Sequence, residues 1–170
     1  MIHAYYGEGK GKTSAAMGLA LRALGHDRRV IIVQFLKGSL SGEVKMLAQL
    51  PGTTVLTGKP GLPFVWNMSQ AEKAETRAYH MRQFEQVRRL TEAGACDVLV
   101  LDEVFGALET GLLDENALTA LLDAAPEVEI VLTGRVLPGE IRKRADYITR
   151  MEGERHPFEK GVKARAGVEY

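Results

Sequence analysis

The stretch Gly7-Glu8-Gly9-Lys10-Gly11-Lys12-Thr13 decides the fold of this chain. An apolar run, Ile2 to Tyr6, precedes it, and a helix-compatible run from Ser14 to Leu24 follows it. The order strand, glycine loop, helix is the context that a phosphate-binding loop requires. Glycines permit a tight turn with inward N–H groups, and the helix start adds unpaired N–H groups and its positive dipole end. We therefore predict that the loop binds nucleotide phosphates.

Two side chains of this loop suit the chemistry of a nucleoside triphosphate. Lys12 supplies a positive charge for the outer phosphates, and the Thr13 hydroxyl is placed to bind Mg²⁺. The general pattern has a glycine five residues before Gly11, where this chain has Tyr6, so the first glycine comes one residue late, at Gly7. The loop is thus a variant of the pattern. The alternative interpretation is a glycine-rich turn that only caps a helix.

Composition limits the class of protein. The 170 residues allow one domain with a substantial core, and 22 Lys and Arg balance 22 Asp and Glu, without the basic excess of a nucleic-acid-binding protein. No apolar run reaches the ~18 residues of a membrane span. Because the sequence begins with a predicted strand, we expect no signal peptide. The single cysteine, Cys96, cannot form an internal disulfide. We expect it to be a core residue, not a nucleophile, in a cytoplasmic protein.

A second apolar strand carries the acidic half of a nucleotide site. The run Asp97 to Leu101 ends in Asp102 and Glu103. A strand that ends in an acid is a weak signal alone, but together with the glycine loop it is a strong one. We predict that these acids hold Mg²⁺, directly or through water, opposite Thr13.

Three basic residues are candidates for further phosphate contacts. Lys37 and Arg135 follow the strands Val30 to Phe35 and Val128 to Leu132, and ligands collect at the carboxyl ends of strands in an open α/β sheet. Arg135 is suited to either a phosphate or a carboxylate. Arg22, on the third turn of the first helix, either reaches back to the nucleotide or is a surface arginine. For Lys37, too, the alternative is an exposed surface residue that contacts no ligand.

Strands that alternate with helices predict a three-layer α/β fold with a mostly parallel sheet and right-handed crossovers. A helix is predicted from Ser69 to about Ala93, because Ser69-Gln70-Ala71-Glu72 is a capping box. Its apolar stripe includes Ala71, Ala74, Ala78, Met81, Phe84, Val87 and Leu90, and we expect His80 to lie at the surface. The remaining predictions are helices at Glu43 to Leu50, Asp114 to about Ala124 and Pro138 to Ala145, strands at Thr53 to Thr57 and Tyr147 to Met151, and a tail ordered against the body.

A loop rich in glycine and proline, Gly58-Lys59-Pro60-Gly61-Leu62-Pro63-Phe64-Val65-Trp66, is here called the aromatic loop. It contains Phe64 and the chain's single tryptophan, Trp66. Large aromatic side chains in a loop either anchor it by packing or form part of a binding surface.

The chain resembles the P-loop type ATP:corrinoid adenosyltransferases from Ile2 to Tyr170. The motifs that carry the resemblance are the glycine loop, Val33-Gln34-Phe35-Leu36-Lys37-Gly38, Phe64-Val65-Trp66, Val100-Leu101-Asp102-Glu103, Leu132-Thr133-Gly134-Arg135 and the tail from Arg155 to Tyr170. The resemblance implies a P-loop NTPase fold of the RecA-like type. It also implies a reaction in which the Co(I) of a reduced corrinoid attacks the 5′ carbon of ATP and triphosphate leaves intact.

The resemblance implies roles for the residues above. It makes ATP and a reduced corrinoid the substrates and Mg²⁺ or Mn²⁺ the metal, held by Thr13, Asp102 and Glu103. Lys12, Thr13 and Glu103 are the expected catalytic residues. The expected nucleotide-binding residues are Gly7, Glu8, Gly9, Lys10, Gly11, Lys12, Thr13 and Ser14, with Arg22, Lys37 and Arg135 as further candidates.

The resemblance also shifts the interpretation of the aromatic loop. It implies that Phe64 and Trp66 form a hydrophobic wall against the lower face of the corrin, which would exclude water and the lower cobalt ligand. A flavin-type reductant and a homodimer are the expected partners. Glu8 replaces a common Asn, and we expect its carboxylate to point outward. Family members often have a segment before the first strand. We expect the surface that this segment covers in them to be open in this chain or covered by another subunit.

Two other functions fit the nucleotide motifs. One is a P-loop kinase or NTPase that cleaves a phosphorus–oxygen bond and releases ADP. The other is a nucleotide-gated corrinoid carrier that forms no cobalt–carbon bond.

Overall fold

The computed structural model describes residues 1–38, 40–59, 61 and 65–168. Within these residues six strands form one sheet, and every strand pairing is parallel. The strands are Ile2–Tyr6 (β1), Val30–Gln34 (β2), Thr53–Leu56 (β3), Val98–Asp102 (β4), Glu129–Gly134 (β5) and Tyr147–Arg150 (β6). The predicted α/β class is confirmed, and the sheet is wholly parallel.

The strand order is β3-β2-β4-β5-β1-β6. β1 lies between β5 and β6, and β4 lies between β2 and β5. In a parallel sheet all carboxyl ends meet at one edge, so the segments that follow β1, β2, β4 and β5 converge there. This convergence brings the glycine loop to the predicted acids.

Helices cover both faces of the sheet. They are Lys12–Leu24 (α1), Gly42–Leu47 (α2), Gln70–Glu92 (α3), Val104–Glu109 (α4), Glu115–Ala124 (α5) and Gly139–Arg144 (α6), with 3₁₀ turns at Val65–Asn67 and Pro157–Lys160. No helix in the described part of the chain combines the length and apolarity needed to cross a membrane.

Successive strand residues pack into two separate hydrophobic cores, one on each face of the sheet. On β2, Val30 and Ile32 pack with α1 and α2, whereas Ile31 and Val33 pack with residues of α3, α4 and α5. All five β2 residues are buried. This pattern explains why the strand sequence is continuously apolar, as in sheets that are covered on both sides.

Several local predictions are confirmed. Ser69 caps α3 with the predicted capping box: its hydroxyl accepts from the Glu72 N–H, and the Glu72 carboxylate accepts from the Ser69 N–H. Asp114 caps α5. Cys96 is buried, and burial raises its pKa to about 11, as expected of a core thiol.

The buried face of α3 differs from the predicted stripe. Ala71, Ala74 and Ala78 are exposed, and His80, expected at the surface, is fully buried. Phe84 and Val87 of the predicted stripe are buried, and the other buried residues are Thr76, His80, Gln83 and Thr91. Alanine is small enough for either face of a helix, so the alanine spacing was a poor guide to the side that packs on the sheet.

Two further differences concern loops and the tail. The helix α4, which was not predicted from the sequence, begins almost directly after β4, with Glu103 as its N-cap. The tail was expected to pack against the body, but residues 152–168 are solvent-exposed. Its polar composition supplies few apolar groups to bury.

Candidate functional site

The glycine loop lies directly on the segment that follows β6. The Gly9 N–H donates to the Met151 carbonyl oxygen over 2.8 Å. A Cβ at Gly7 would overlap that same carbonyl, and a Cβ at Gly9 would lie 2.7 Å from the Glu152 carbonyl carbon. Gly7 and Gly11 also have φ values of 113° and 107°, which side-chain-bearing residues rarely adopt. Both close contact and backbone conformation therefore require glycine here.

Lys12 is held against the backbone of the loop. Its Nζ donates to the carbonyl oxygens of Gly7 (2.6 Å) and Gly9 (2.7 Å). The ammonium thus lies over the glycines and beside the first N–H groups of α1. A positive charge combined with unpaired helix N–H groups is a binding site for phosphate.

Asp102 is the centre of a buried polar cluster. Its carboxylate is fully buried, and its Oδ1 accepts hydrogen bonds from the hydroxyls of Thr13 (2.9 Å) and Thr133 (2.8 Å). Its Oδ2 accepts from Gln34 Nε2 (3.1 Å) and Lys37 Nζ (2.9 Å). Four donors, one of which is the Lys37 ammonium, compensate the cost of burying this charge. The contact joins the end of β4 to the first turn of α1.

Glu103 follows Asp102 in a strained conformation. Its φ of 62° lies in the left-handed region, which costs about 1–3 kcal/mol for a residue with a side chain. Its N–H donates to the Thr133 hydroxyl over 2.9 Å, and this bond holds the turn in place. Strain of this kind persists where the surroundings fix it, and such places are often functional sites.

The carboxyl group of Glu103 is electrostatically unusual. Burial raises its pKa above the ordinary glutamate value, and the Asp102 charge raises it further, whereas Lys37, Lys12 and Arg135 lower it. Three cations and two acids therefore interact at the carboxyl edge of the sheet. Such a group of opposing charges favours polyanion binding together with a divalent cation.

The structure separates the further basic candidates. Lys37 joins the cluster through Asp102, and Arg135 lies beside the loop in an exposed ion pair with Glu8 (3.6 Å). The outward position of Glu8 is confirmed, since its side chain is 75% exposed. Arg22 lies in the last turn of α1, exposed and roughly 15 Å along the helix axis from Lys12.

The remaining loop residues lie around the site. Ser14 is exposed in the first turn of α1. Lys10 Nζ donates to the carbonyl oxygen of Val168 over 2.8 Å, which links the loop to the tail.

The aromatic loop is described in part. Trp66 lies in the 3₁₀ turn Val65–Asn67 and is 77% exposed. The prediction for Phe64 lies outside the described residues. Met68, just after the turn, is buried and ends the loop against the body.

Comparison with known proteins assigns the chain to a family. The family described as ATP:corrinoid adenosyltransferase BtuR/CobO/CobP matches residues 1–170. The chain belongs to this family.

Individual relatives agree with this assignment. The chain is 35% identical over 173 residues to the corrinoid adenosyltransferase of Pseudomonas aeruginosa, covering all of this chain and 82% of that protein. It is 32% identical over 171 residues to corrinoid adenosyltransferase CobA of Salmonella typhimurium, covering all of this chain and 85% of that protein. A solved structure of the replication initiator DnaA, bound to AMPPCP and single-stranded DNA, has a TM-score of 0.50 and 14% identity, covers 90% of this chain and 40% of DnaA, and supports the fold alone.

The residues of this adenosyltransferase family member fit a magnesium ion shared with phosphates. The described residues contain no cluster of three or more His, Cys, Asp or Glu that would hold a metal unaided. The Thr13 hydroxyl and the carboxylates of Asp102 and Glu103 are oxygen donors, which Mg²⁺ prefers. Mg²⁺ retains several water ligands and also takes phosphate oxygens as ligands. These three protein oxygen donors are therefore sufficient.

Two members of the cluster, Gln34 and Thr133, were not predicted as site residues from the sequence. Both are buried polar residues near the carboxyl end of otherwise apolar strands. A buried polar side chain needs a hydrogen-bond partner, so such a position is itself a signal of a network. Here both side chains donate a hydrogen bond to the Asp102 carboxylate.

Proposed function

We propose that this protein transfers the 5′-deoxyadenosyl group of ATP to the Co(I) centre of a reduced corrinoid, in cobalamin biosynthesis or salvage. The observation that carries the proposal is the joining of Lys12, Thr13 and Asp102 at one edge of the sheet, in a chain matched by the family over its full length. The products are an adenosylcorrinoid and triphosphate.

The reaction balances as a displacement at carbon. The Co(I) of the substrate donates an electron pair to the 5′ carbon, a cobalt–carbon bond forms and the cobalt becomes formally Co(III). The bond between the 5′ carbon and its oxygen breaks, and its electron pair leaves with the triphosphate. The nucleophile needs no deprotonation, so the protein requires no general base and acts by positioning and charge neutralisation.

The chain's own residues supply that neutralisation. The loop N–H groups and Lys12 bind the triphosphate, and Lys37 and Arg135 add positive charge at the same edge. Charge on the leaving triphosphate increases as the carbon–oxygen bond breaks, so preorganised cations lower the barrier. Thr13, Asp102 and Glu103 would hold a Mg²⁺ ion, which would supply further positive charge to the triphosphate when bound.

The aromatic loop is proposed to bind the corrinoid. Phe64 and Trp66 would form a hydrophobic wall at the lower face of the corrin and keep water and the lower ligand from cobalt, which favours reduction to Co(I). The exposure of Trp66 supports this role, because a large exposed aromatic side chain suits a binding surface. The Phe64→Ala, Trp66→Ala double variant should bind ATP normally and turn over Co(II) substrate poorly. Equal losses with preformed Co(I) and with Co(II) substrate would contradict this role.

The proposal also includes the metal, the cellular location, the oligomeric state and the electron donor. They are Mg²⁺ or Mn²⁺ as the metal, a cytoplasmic location, a homodimer and a flavin-type reductant. Light scattering of the purified protein tests the dimer, and reduction of the Co(II) substrate by a reduced flavin tests the electron donor.

The experiment for the main proposal combines protein, ATP, Mg²⁺ and chemically reduced corrinoid. We expect the absorbance of a new cobalt–carbon bond and one triphosphate for each adenosylcorrinoid. ADP and phosphate without that absorbance would indicate a kinase or NTPase. Corrinoid binding that depends on ATP but yields no new bond would indicate a carrier.

A further inference from the structure

The start of the aromatic loop is attached to one stripe of α3. Glu75, Tyr79 and Gln83 are spaced by four residues, so they lie on the same side of the helix. Glu75 forms an ion pair with Lys59 of the loop (2.7 Å). Tyr79 Oη donates to the carbonyl oxygen of Thr57 over 3.3 Å, and Gln83 Nε2 donates to the same oxygen.

Gln83 is oriented by His80. The Gln83 Oε1 lies 3.4 Å from His80 Nδ1, and an amide oxygen only accepts, so the proton is on Nδ1. With Oε1 turned to His80, the amide nitrogen of Gln83 points to Thr57. His80 is fully buried, and its Nε2 has no hydrogen-bond partner among the described residues. Burial of a histidine with one unsatisfied ring nitrogen costs free energy of folding. The hydrogen bond between His80 and Gln83 therefore calls for an explanation.

Two chains of contacts connect this part of α3 and the start of the aromatic loop to Asp102. His80 packs on Phe35, with ring centroids 5.2 Å apart, and the Phe35 N–H donates to the Asp102 carbonyl oxygen over 2.9 Å. On the other side, Gly58 lies so close to the Lys37 carbonyl oxygen that a Cβ there would overlap it. Lys37 in turn bonds the Asp102 carboxylate. The contacts close a ring around the carboxyl end of β2.

We propose that Gln83, oriented by His80, is a positioning residue that holds Thr57 and the start of the aromatic loop, Gly58 and Lys59, at a fixed distance from Asp102 of the nucleotide site. This inference rests on the proposed corrinoid role of the loop. Gln83 touches neither substrate in this account; it acts through Thr57 and the loop that follows. Correct placement matters because the 5′ carbon and cobalt must be aligned for displacement.

The test uses Gln83→Met, which keeps the length of the side chain and removes both hydrogen bonds. Loss of a neutral hydrogen bond predicts a rise of about two- to tenfold in the KM for corrinoid, with the KM for ATP unchanged. Thr91→Val is the matched control: Thr91 is buried on the same helix, and its hydroxyl donates to the Arg88 carbonyl oxygen of that helix. It should leave both KM values unchanged.

A pair of histidine variants separates positioning from packing. Asn places an N–H donor near the position of Nδ1, so His80→Asn should retain a corrinoid KM close to that of the wild type. His80→Leu removes the donor and should behave like Gln83→Met. Equal effects of the two His80 variants would contradict the proposal.

Trp66, as the chain's single tryptophan, reports on the loop without any corrinoid. Gln83→Met should lower its fluorescence anisotropy, whereas Thr91→Val should not. Unchanged anisotropy together with an unchanged corrinoid KM overturns the positioning role. Lower anisotropy with an unchanged corrinoid KM retains the anchor and instead overturns the proposed corrinoid role of the loop.

Discussion

The Thr13 hydroxyl donates a hydrogen bond to the Asp102 carboxylate over 2.9 Å, although 89 residues separate the two in the chain. This bond connects the glycine loop to the end of β4. Because Asp102 is also bonded by Thr133, Gln34 and Lys37, the position of the loop is tied to the ends of three neighbouring strands. The electrostatic part of the site is therefore built in advance of nucleotide binding.

Replacement of Thr13 by Val should test this connection. The variant loses one hydrogen bond to a charged group, which predicts a loss of about 1.5–3 kcal/mol in the free energy of unfolding. It also loses a proposed metal ligand, so turnover should fall by roughly 10²-fold. Thr13→Ser keeps the hydroxyl and should remain near the wild type in both urea unfolding and turnover. A Val variant with full turnover would contradict the role of Thr13.

Replacement of Gly7 by Ala should displace the glycine loop. The positive φ and the overlap with the Met151 carbonyl predict a loss of about 2 kcal/mol or more in stability and weaker ATP binding. Gly18→Ala is the control, because a Cβ at this interior position of α1 meets nothing within 4 Å. That variant should gain about 0.5–1 kcal/mol from better helix propensity. Calorimetry of both variants measures the contrast, and equal ATP affinities would refute the account of Gly7.

Replacement of Glu103 by Gln should separate stability from function. The raised pKa means that the folded protein disfavours the ionised carboxylate, so the wild type loses stability as pH rises above the ordinary glutamate value of 4.5. Glu103→Gln should therefore have a higher Tm than the wild type at pH 7, and the difference should shrink as pH falls toward 4.5. Its turnover should fall, since a proposed metal ligand is lost.

The control for this variant is Glu109→Gln, at an exposed position in α4, the helix that follows Glu103. It should change neither Tm nor turnover by much. A Glu103→Gln variant that is less stable than the wild type at pH 7 would show that the carboxylate is net stabilising and would reverse the electrostatic argument.

His80 should make the free energy of unfolding depend on pH in the direction opposite to that of Glu103. Burial lowers its pKa, so the folded state resists protonation and stability falls as pH drops below 6.5. His80→Asn lacks this group, and its Tm relative to the wild type should rise between pH 7 and pH 5. Thermal unfolding at several pH values measures the difference. A constant Tm difference across that range would mean that His80 is not held neutral.

The fold and half of the site could be predicted from sequence because their signals are local. Thr13 is recognised from its neighbours in the glycine loop, and Asp102 from the apolar strand before it. The fold of the two sheet faces follows from continuous apolar strands such as Val30–Gln34, which are buried on both sides.

The rest depends on contacts between distant segments. Gln34 and Thr133 become part of the site only when β2 and β5 are placed on either side of β4. His80 was assigned to the surface because a polar residue in an alanine-rich helix has no local signal for burial. Its position is decided by Phe35 and Gln83, and no sequence pattern connects these to it in advance.

The central claim is that the bond between the 5′ carbon and its oxygen breaks, and isotope labelling tests it most directly. ATP with ¹⁸O at the 5′ bridging oxygen, mixed with Mg²⁺, reduced corrinoid and the protein, is followed by mass spectrometry of the products. We expect all of the label in intact triphosphate and none in the adenosyl product. Label retained on a nucleoside or nucleotide product, with phosphate released separately, would show cleavage at phosphorus and contradict adenosyl transfer.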